Sequence, residues 1–152
     1  MRSLILISSL VLLSTGVGFL AHSAHAQGHP TIEVYKSPTC GCCTKWVVHL
    51  QEHGFTVNVT DVPSVVPLKE RVGITPKLSS CHTALVGDYV LEGHVPASDV
   101  HRLLAEGPAI KGLAVPGMPI GSPGMEGPNA QGFDVYSFDR SGKTEIYATH
   151  GK

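Results

Sequence analysis

The chain has 152 residues, a formal net charge of −1, 42% hydrophobic residues and 15% charged residues. That length accommodates one or two domains. The balanced charge excludes the basic stripe of an electrostatic nucleic-acid binder, and the apolar content excludes a highly charged disordered chain. The 17 glycines and 11 prolines require a large share of loop, and the four cysteines are too few for a dense disulfide scaffold but enough for one metal site or one redox pair.

Met1-Arg2 gives a short positive start, Leu4 to Leu20 is a mostly apolar run, and Ala24-His25-Ala26 supplies the small-x-small pattern of a signal-peptidase site. Residues 1–26 therefore read as a secretory signal peptide cut before Gln27, rather than as a retained membrane anchor. Residues 27–152 are then a single extracytoplasmic domain, in a compartment where thiols oxidise unless they are held reduced or metallated.

Ile32 to Lys36 is β-rich and is broken by Ser37-Pro38-Thr39. Thr44 to His53 reads as a helix stopped by Gly54, with Cys43, Val47 and Leu50 on one stripe and Trp46 beside them. Phe55 to Val62 alternates as a strand with Phe55, Val57 and Val59 on one face. Pro67 to Val72 is a short helix with Pro at its start and Gly73 at its stop. Thr83 to Val86 and Tyr89 to Leu91 form a hairpin around Gly87-Asp88. Pro96 to Glu106 is a helix carrying Val100, Leu103 and Leu104. Residues 107–132 are Gly/Pro-rich and lack periodicity, yet they hold Met118 and Met125, which a plain linker rarely contains. Phe133 to Phe138 and Thr144 to Thr149 close the chain as a hairpin, which makes the Met-bearing loop an inserted, anchored element. The expected architecture is α/β: a β-α-β-α-β-β-α core, then a Gly/Pro/Met-rich loop and a C-terminal β-hairpin.

Cys40-Gly41-Cys42-Cys43 is the most informative segment. Cys40 and Cys43 form a C-x-x-C pair between a strand and a helix, a thioredoxin-like signature. Free N–H groups and positive partial charge at the helix start favour thiolate, the form that attacks disulfides and binds soft metals. Cys81 is placed by register. If Gly87-Asp88 is a two-residue turn, Val86 faces Tyr89, Leu85 faces Val90, and Cys81 falls opposite His94 at the open end of the hairpin. His82 then points to the other face and ranks below His94. His49 and His53 have the i, i+4 spacing of a helical metal pair. They lie about 9 and 15 Å beyond Cys43 at 1.5 Å per residue, which makes them surface residues. His101 and His150 are read the same way.

Thiolate, thioether and imidazole together are soft ligands and select Cu(I). Zinc would leave the methionines unused, and an iron–sulfur cluster would need assembly in, or export to, an extracytoplasmic compartment. Copper is the cofactor this donor set implies.

The joint set Cys40-Gly41-Cys42-Cys43, Ser80-Cys81-His82-Thr83-Ala84, Glu92-Gly93-His94-Val95-Pro96 and Pro116 to Glu126 resembles the CopG-like family of bacterial periplasmic copper-resistance proteins, over about residues 31 to 150. The resemblance implies a thioredoxin-like fold, a periplasmic location and a metal site of Cys40, Cys42, Cys43, Cys81, His94, Met118 and Met125. It also implies a thiolate-bridged copper cluster that cycles between Cu(I) and Cu(II). Ordinary thioredoxins are a looser match: they place a cis-Pro before the third strand, where this chain has Cys81-His82, and the nearest Pro is Pro76.

Two functions of different class follow. One is a periplasmic copper-binding protein of copper resistance, with copper ions and other periplasmic copper-handling proteins as partners. It has neither nucleic-acid nor membrane contacts after signal cleavage, and a copper oxidoreductase activity is compatible with its ligands. The other is an extracytoplasmic thiol–disulfide oxidoreductase using Cys40 and Cys43. An exchange enzyme needs neither Cys81 nor the Met loop. A copper chaperone that hands metal to a partner is a third, weaker alternative.

Overall fold

A computed structural model describes residues 30–151. The expected signal peptide, its cleavage site and His29 lie outside the described residues. Ten elements follow in order: β1 (Ile32–Lys36), α1 (Gly41–Glu52), β2 (Val57–Asp61), α2 (Val66–Val72), β3 (Thr83–Val86), β4 (Tyr89–Glu92), α3 (Ala97–Glu106), β5 (Gly112–Ala114), β6 (Phe133–Phe138) and β7 (Thr144–His150). The fold is mixed α/β, one seven-stranded sheet with three helices, and the strand order is β2-β1-β3-β4-β5-β6-β7.

β1 runs parallel to β2 and antiparallel to β3. The β3–β4 hairpin has the register the sequence implies, with Val86 opposite Tyr89 and Leu85 opposite Val90, and its ladder ends at the pair Thr83–Glu92. β4 pairs in parallel with β5, a three-residue strand that the reading of 107–132 as aperiodic loop missed. β5 in turn pairs antiparallel with β6. The loop of residues 115–132 therefore leaves and re-enters one sheet through adjacent strands. β6 and β7 pair as expected, with a bulge at Val135/Tyr136.

Alternation along β4 and β5 explains a sheet buried on both faces. Leu91, Leu113 and Val115 join Trp46, Val47 and Leu50 of α1 and Val100 and Leu103 of α3 in the main core. Val90 and Ala114 face the other way, against Ile74, Leu78 and Phe138. Each fully buried Leu or Val contributes roughly 1.5–3 kcal/mol of transfer free energy. Of Phe55, Val57 and Val59, which the sequence placed on one face, Phe55 is buried, Val57 is partly buried and Val59 is exposed, because β2 is an edge strand. Apart from Val59, its exposed residues are the polar Asn58, Thr60 and Asp61, which discourages pairing with a further strand.

Of the histidines read as surface residues, His53 is exposed, while His49, His101 and His150 are partly buried structural ties. Pro96 offers no capping side chain to α3, and His49 of α1 substitutes: its Nε2 accepts the Ala97 N–H (3.1 Å). His101 stacks on Phe55 with ring centroids 4.3 Å apart. His150 of β7 stacks on Phe133 and lies 2.6 Å from Asp99 Oδ2 of α3. Arg102 covers the Tyr147 ring and donates to the Tyr147 carbonyl (2.8 Å), which fastens the C-terminal hairpin to the same helix.

Candidate metal centre

Helix α1 starts three residues before the expected Thr44, so the cysteines lie on its first turn. Cys40 is the N-cap, and the cap makes no side-chain hydrogen bond. Its own N–H donates to the Ser37 carbonyl (3.1 Å), which folds the chain back immediately after β1. The first turn carries no acidic residue. No carboxylate of that turn therefore opposes the positive end of the helix dipole at the sulfur atoms.

Cys40 and Cys43 are joined as a disulfide, while Cys42 and Cys81 are free. Cys42 Sγ lies 3.5 Å from Cys40 Sγ, and Cys81 Sγ lies 3.4 Å from Cys43 Sγ. All four sulfur atoms fall within 4.8 Å of one another. The open end of the hairpin therefore meets the start of α1, as the register argument requires.

Cys81 Sγ also approaches two imidazoles, His94 Nε2 at 3.1 Å and His82 Nδ1 at 3.3 Å. The proximity of His82 corrects the expectation that it points to the opposite face. That expectation extended the ladder past its last pair, whereas residues 80–82 leave the strand before pairing is complete. His82 is fully buried, its ring 4.3 Å from Trp46 and edge-on to His94 at 5.0 Å. Its Nε2 has no hydrogen-bond partner. Trp46 is fixed in turn by its indole N–H, which donates to the Val95 carbonyl (2.8 Å).

Burial disfavours the charged form of both rings. Burial first, and then His94, holds His82 well below the ordinary histidine value. Burial likewise lowers His94. His94 Nδ1 lies 2.8 Å from the Pro123 carbonyl, an acceptor only, so Nδ1 carries the proton and Nε2 presents its lone pair to Cys81. Burial pushes the Cys81 thiol up to about 11, with repulsion from Cys42 adding to it. A metal binding at Cys81 must therefore displace a proton.

The Met loop reaches this cluster through its backbone. Gly124 has φ +84° and lies on the first turns of α1, where a Cβ would stand 2.7 Å from the Cys42 carbonyl oxygen and 2.9 Å from the Trp46 nitrogen. Only glycine fits both the angle and the contact. The Gly124 N–H donates to Glu126 Oε1 (2.6 Å), a bond that holds the Glu126 carboxyl below its usual range. At the other end, Gly117 N–H donates to the Ser79 carbonyl (3.0 Å) and the Gly117 carbonyl accepts from the Ser80 hydroxyl. Met125 follows Gly124 and is half-buried, and Met118 follows Gly117 and is exposed. Both methionines thus follow glycines whose backbone is tied to α1 and to the residues before Cys81.

The sequence reading also missed a buried ion pair. Lys69 of α2 and Glu92 at the end of β4 are in direct contact, and both side chains are buried. Glu92 Oε1 accepts the Ser80 N–H (2.6 Å), and Oε2 accepts the Thr83 hydroxyl (2.6 Å). Once Cys40 and Cys43 are reduced, the four cysteine sulfurs and His94 Nε2, beside the buried rings of Trp46 and His82, form a soft, compact donor set that fits Cu(I).

No curated protein sequence matches this chain at a significant level. A family model described as a protein of unknown function, DUF411, matches residues 78–125, the segment from Leu78 through Cys81 and His94 to Met125. Two solved structures, both of copper resistance protein CopG, are similar over most of the chain. Form 2 is 38% identical with a TM-score of 0.76, and the match covers 81% of this chain and 100% of that one. Form 1 is 37% identical with a TM-score of 0.76, covering 82% of this chain and 99% of that one.

Proposed function

The chain belongs to the family of the copper resistance protein CopG, and from that premise we propose that it is a periplasmic copper-binding protein that contributes to copper resistance. The observation that carries the reading is the convergence of four sulfur atoms within 4.8 Å of one another, with His94 Nε2 beside Cys81. In this reading Cys40, Cys42, Cys43 and Cys81 supply thiolates, His94 supplies Nε2, and Met118 and Met125 supply thioethers. Adjacent thiolates bridge metal ions readily, so the site holds more than one copper ion. Softness favours Cu(I), and an imidazole among the donors keeps Cu(II) accessible. The same site is then compatible with interconversion of the two oxidation states.

The core order β2-β1-β3-β4, with the C-x-x-C pair at the start of the helix that follows β1, supports a thioredoxin-like assignment for residues 31–106. Residues 1–26 act as the signal peptide, and 27–152 form the single mature domain. No described helix is long and apolar enough to cross a membrane. Cell fractionation tests the location: the mature chain belongs in the periplasmic fraction, and recovery in the cytosol contradicts it.

The Cys40–Cys43 disulfide favours a second reading, thiol–disulfide exchange. The two forms exclude each other at these residues, because copper requires both sulfurs reduced, with two electrons and two protons supplied by a dithiol reductant. The experiment that separates the readings is paired. A reduced Cys81→Ser variant loses tight Cu(I) binding in competition with a chromophoric chelator, whereas an exchange enzyme keeps its rate of reducing a protein disulfide after the same change. Unchanged Cu(I) affinity in Cys81→Ser refutes the copper site as drawn.

A further inference from the structure

Lys69 and Glu92 are both buried and in contact. Burying two charges is costly, and an apolar pair of similar volume often serves stability equally well or better. Stability alone therefore does not account for them. Their hydrogen bonds point to a different use, because nearly all of them go to the short segment that contains Cys81.

The β3–β4 ladder stops at Thr83–Glu92, and beyond it the backbone tie between the two chain segments is the bond from the Gly93 N–H to the His82 carbonyl (3.1 Å). Glu92 adds to that tie from one side by accepting the Ser80 N–H at 2.6 Å. Lys69 adds to it from the other, donating to Thr83 Oγ1 at 3.0 Å and, as a longer second donor, to the His82 carbonyl at 3.5 Å. The Thr83 hydroxyl donates back to Glu92 Oε2, which closes the network. Gly93 lets the two strands cross here: a Cβ on it would stand 2.5 Å from Ser80 Cβ, and its φ of +71° suits glycine. The residues on both sides of Cys81 are thus gripped by one ion pair, and Ser80 passes the grip to the Met loop at Gly117.

We propose that the buried Lys69–Glu92 pair is a positioning device that holds Cys81 Sγ against Cys43 and His94 and thereby sets the copper affinity of the site. The copper half of this statement rests on the function proposed above; the positioning half does not. Neither residue touches metal. They act on backbone, as outer-shell partners do when they orient a ligand.

The test uses the full mature chain and two readouts. The first is free of copper. In a Cys40→Ser, Cys42→Ser background only Cys43 and Cys81 remain, 3.4 Å apart, and a mild two-electron oxidant such as an oxidised dithiol joins them, each thiol losing one proton. The Lys69→Met, Glu92→Leu double variant removes both charges together and keeps apolar bulk, so a far-UV spectrum and melting curve can establish that it folds. The pair predicts cross-linking slowed about tenfold or more, within the roughly 10–100-fold range of outer-shell effects on a site. Should the double variant not fold, Glu92→Asp keeps the charge but draws the carboxylate back from Ser80, and a slowing in the same direction is expected. The second readout is Cu(I) competition with the four cysteines intact, where the folded variant binds about 10–100-fold more weakly. A folded variant that cross-links at the unmodified rate overturns the positioning claim. Slowed cross-linking in a chain whose parent fails to bind copper upholds it and defeats the copper reading instead.

Discussion

Cys81 depends on three separate parts of the chain: Cys43 on α1, His94 beyond β4, and the ion pair formed by Lys69 and Glu92. Substitution there is therefore expected to cost the most copper affinity. Cys81→Ser keeps the volume and the hydrogen-bond capacity but removes the soft donor, and should cost more Cu(I) affinity than the roughly 10–100-fold loss of an outer-shell partner. Competition with a chelator measures it. The methionines separate sulfur chemistry from packing. Met→Leu at 118 or 125 keeps apolar bulk and costs under about 1.5 kcal/mol, so the melting temperature barely moves while Cu(I) affinity or the copper reduction potential shifts. No change in either property for both variants would make the loop mere packing. At this scale the sequence was informative where a local rule applied. C-x-x-C before a helix located three sulfurs, and the two-residue turn brought Cys81 to His94. His82 was misjudged because alternation holds only while a ladder continues, and this one ends at Thr83–Glu92. Lys69 and Glu92 escaped notice because nothing local links residues that far apart in the chain.

At the scale of elements, two ties decide the geometry. The first is the Met loop on α1. Gly117 and Gly124 both have positive φ, but only at Gly124 would a Cβ collide with another element. Gly117→Ala therefore reports backbone strain alone, of the order of 1–2 kcal/mol. Gly124→Ala adds the collision with α1, and should lower both the melting temperature and the Cu(I) affinity further than Gly117→Ala does. Equal losses in the two variants would show that the contact with α1 does not position the loop. The second tie is His49 on the start of α3. Burial, then the neighbouring His53, lowers His49 from its ordinary value, against weaker opposing effects of Glu126 and Glu52. The unfolded chain then binds the proton more readily than the folded one, so stability rises with pH through this range. It is lost as pH falls below about 6.5, the ordinary histidine value. His82 and His94 act in the same direction. His49→Gln keeps an acceptor for the Ala97 N–H and removes one titrating group, so melting temperature should fall less steeply between about pH 7 and 5 than in the parent. Identical slopes would remove His49 from the account. The sequence revealed the helices and hairpins but not these ties, because their partners are backbone atoms brought close only by folding.

For the molecule as a whole, six of the seven strands and all three helices follow from turn residues and apolar periodicity. The exception, β5, spans only Gly112–Ala114 and carries too few residues to show alternation. Its omission matters, since β5 and β6 are what turn residues 115–132 from a linker into a loop anchored at both ends. The fold brings the cysteines of α1, Cys81 before β3 and His94 beyond β4 to one place, and that anchoring lays the backbone of the Met loop against α1 beside them, on a sheet buried from both sides at β4 and β5. What occupies that place decides what the protein does. Elemental analysis of the mature protein, purified without a histidine tag from copper-supplemented cells and kept reduced, tests it most directly. More than one copper ion per chain is the expected result, whereas zinc or iron at full occupancy in place of copper would contradict the soft-ligand site at the centre of this account.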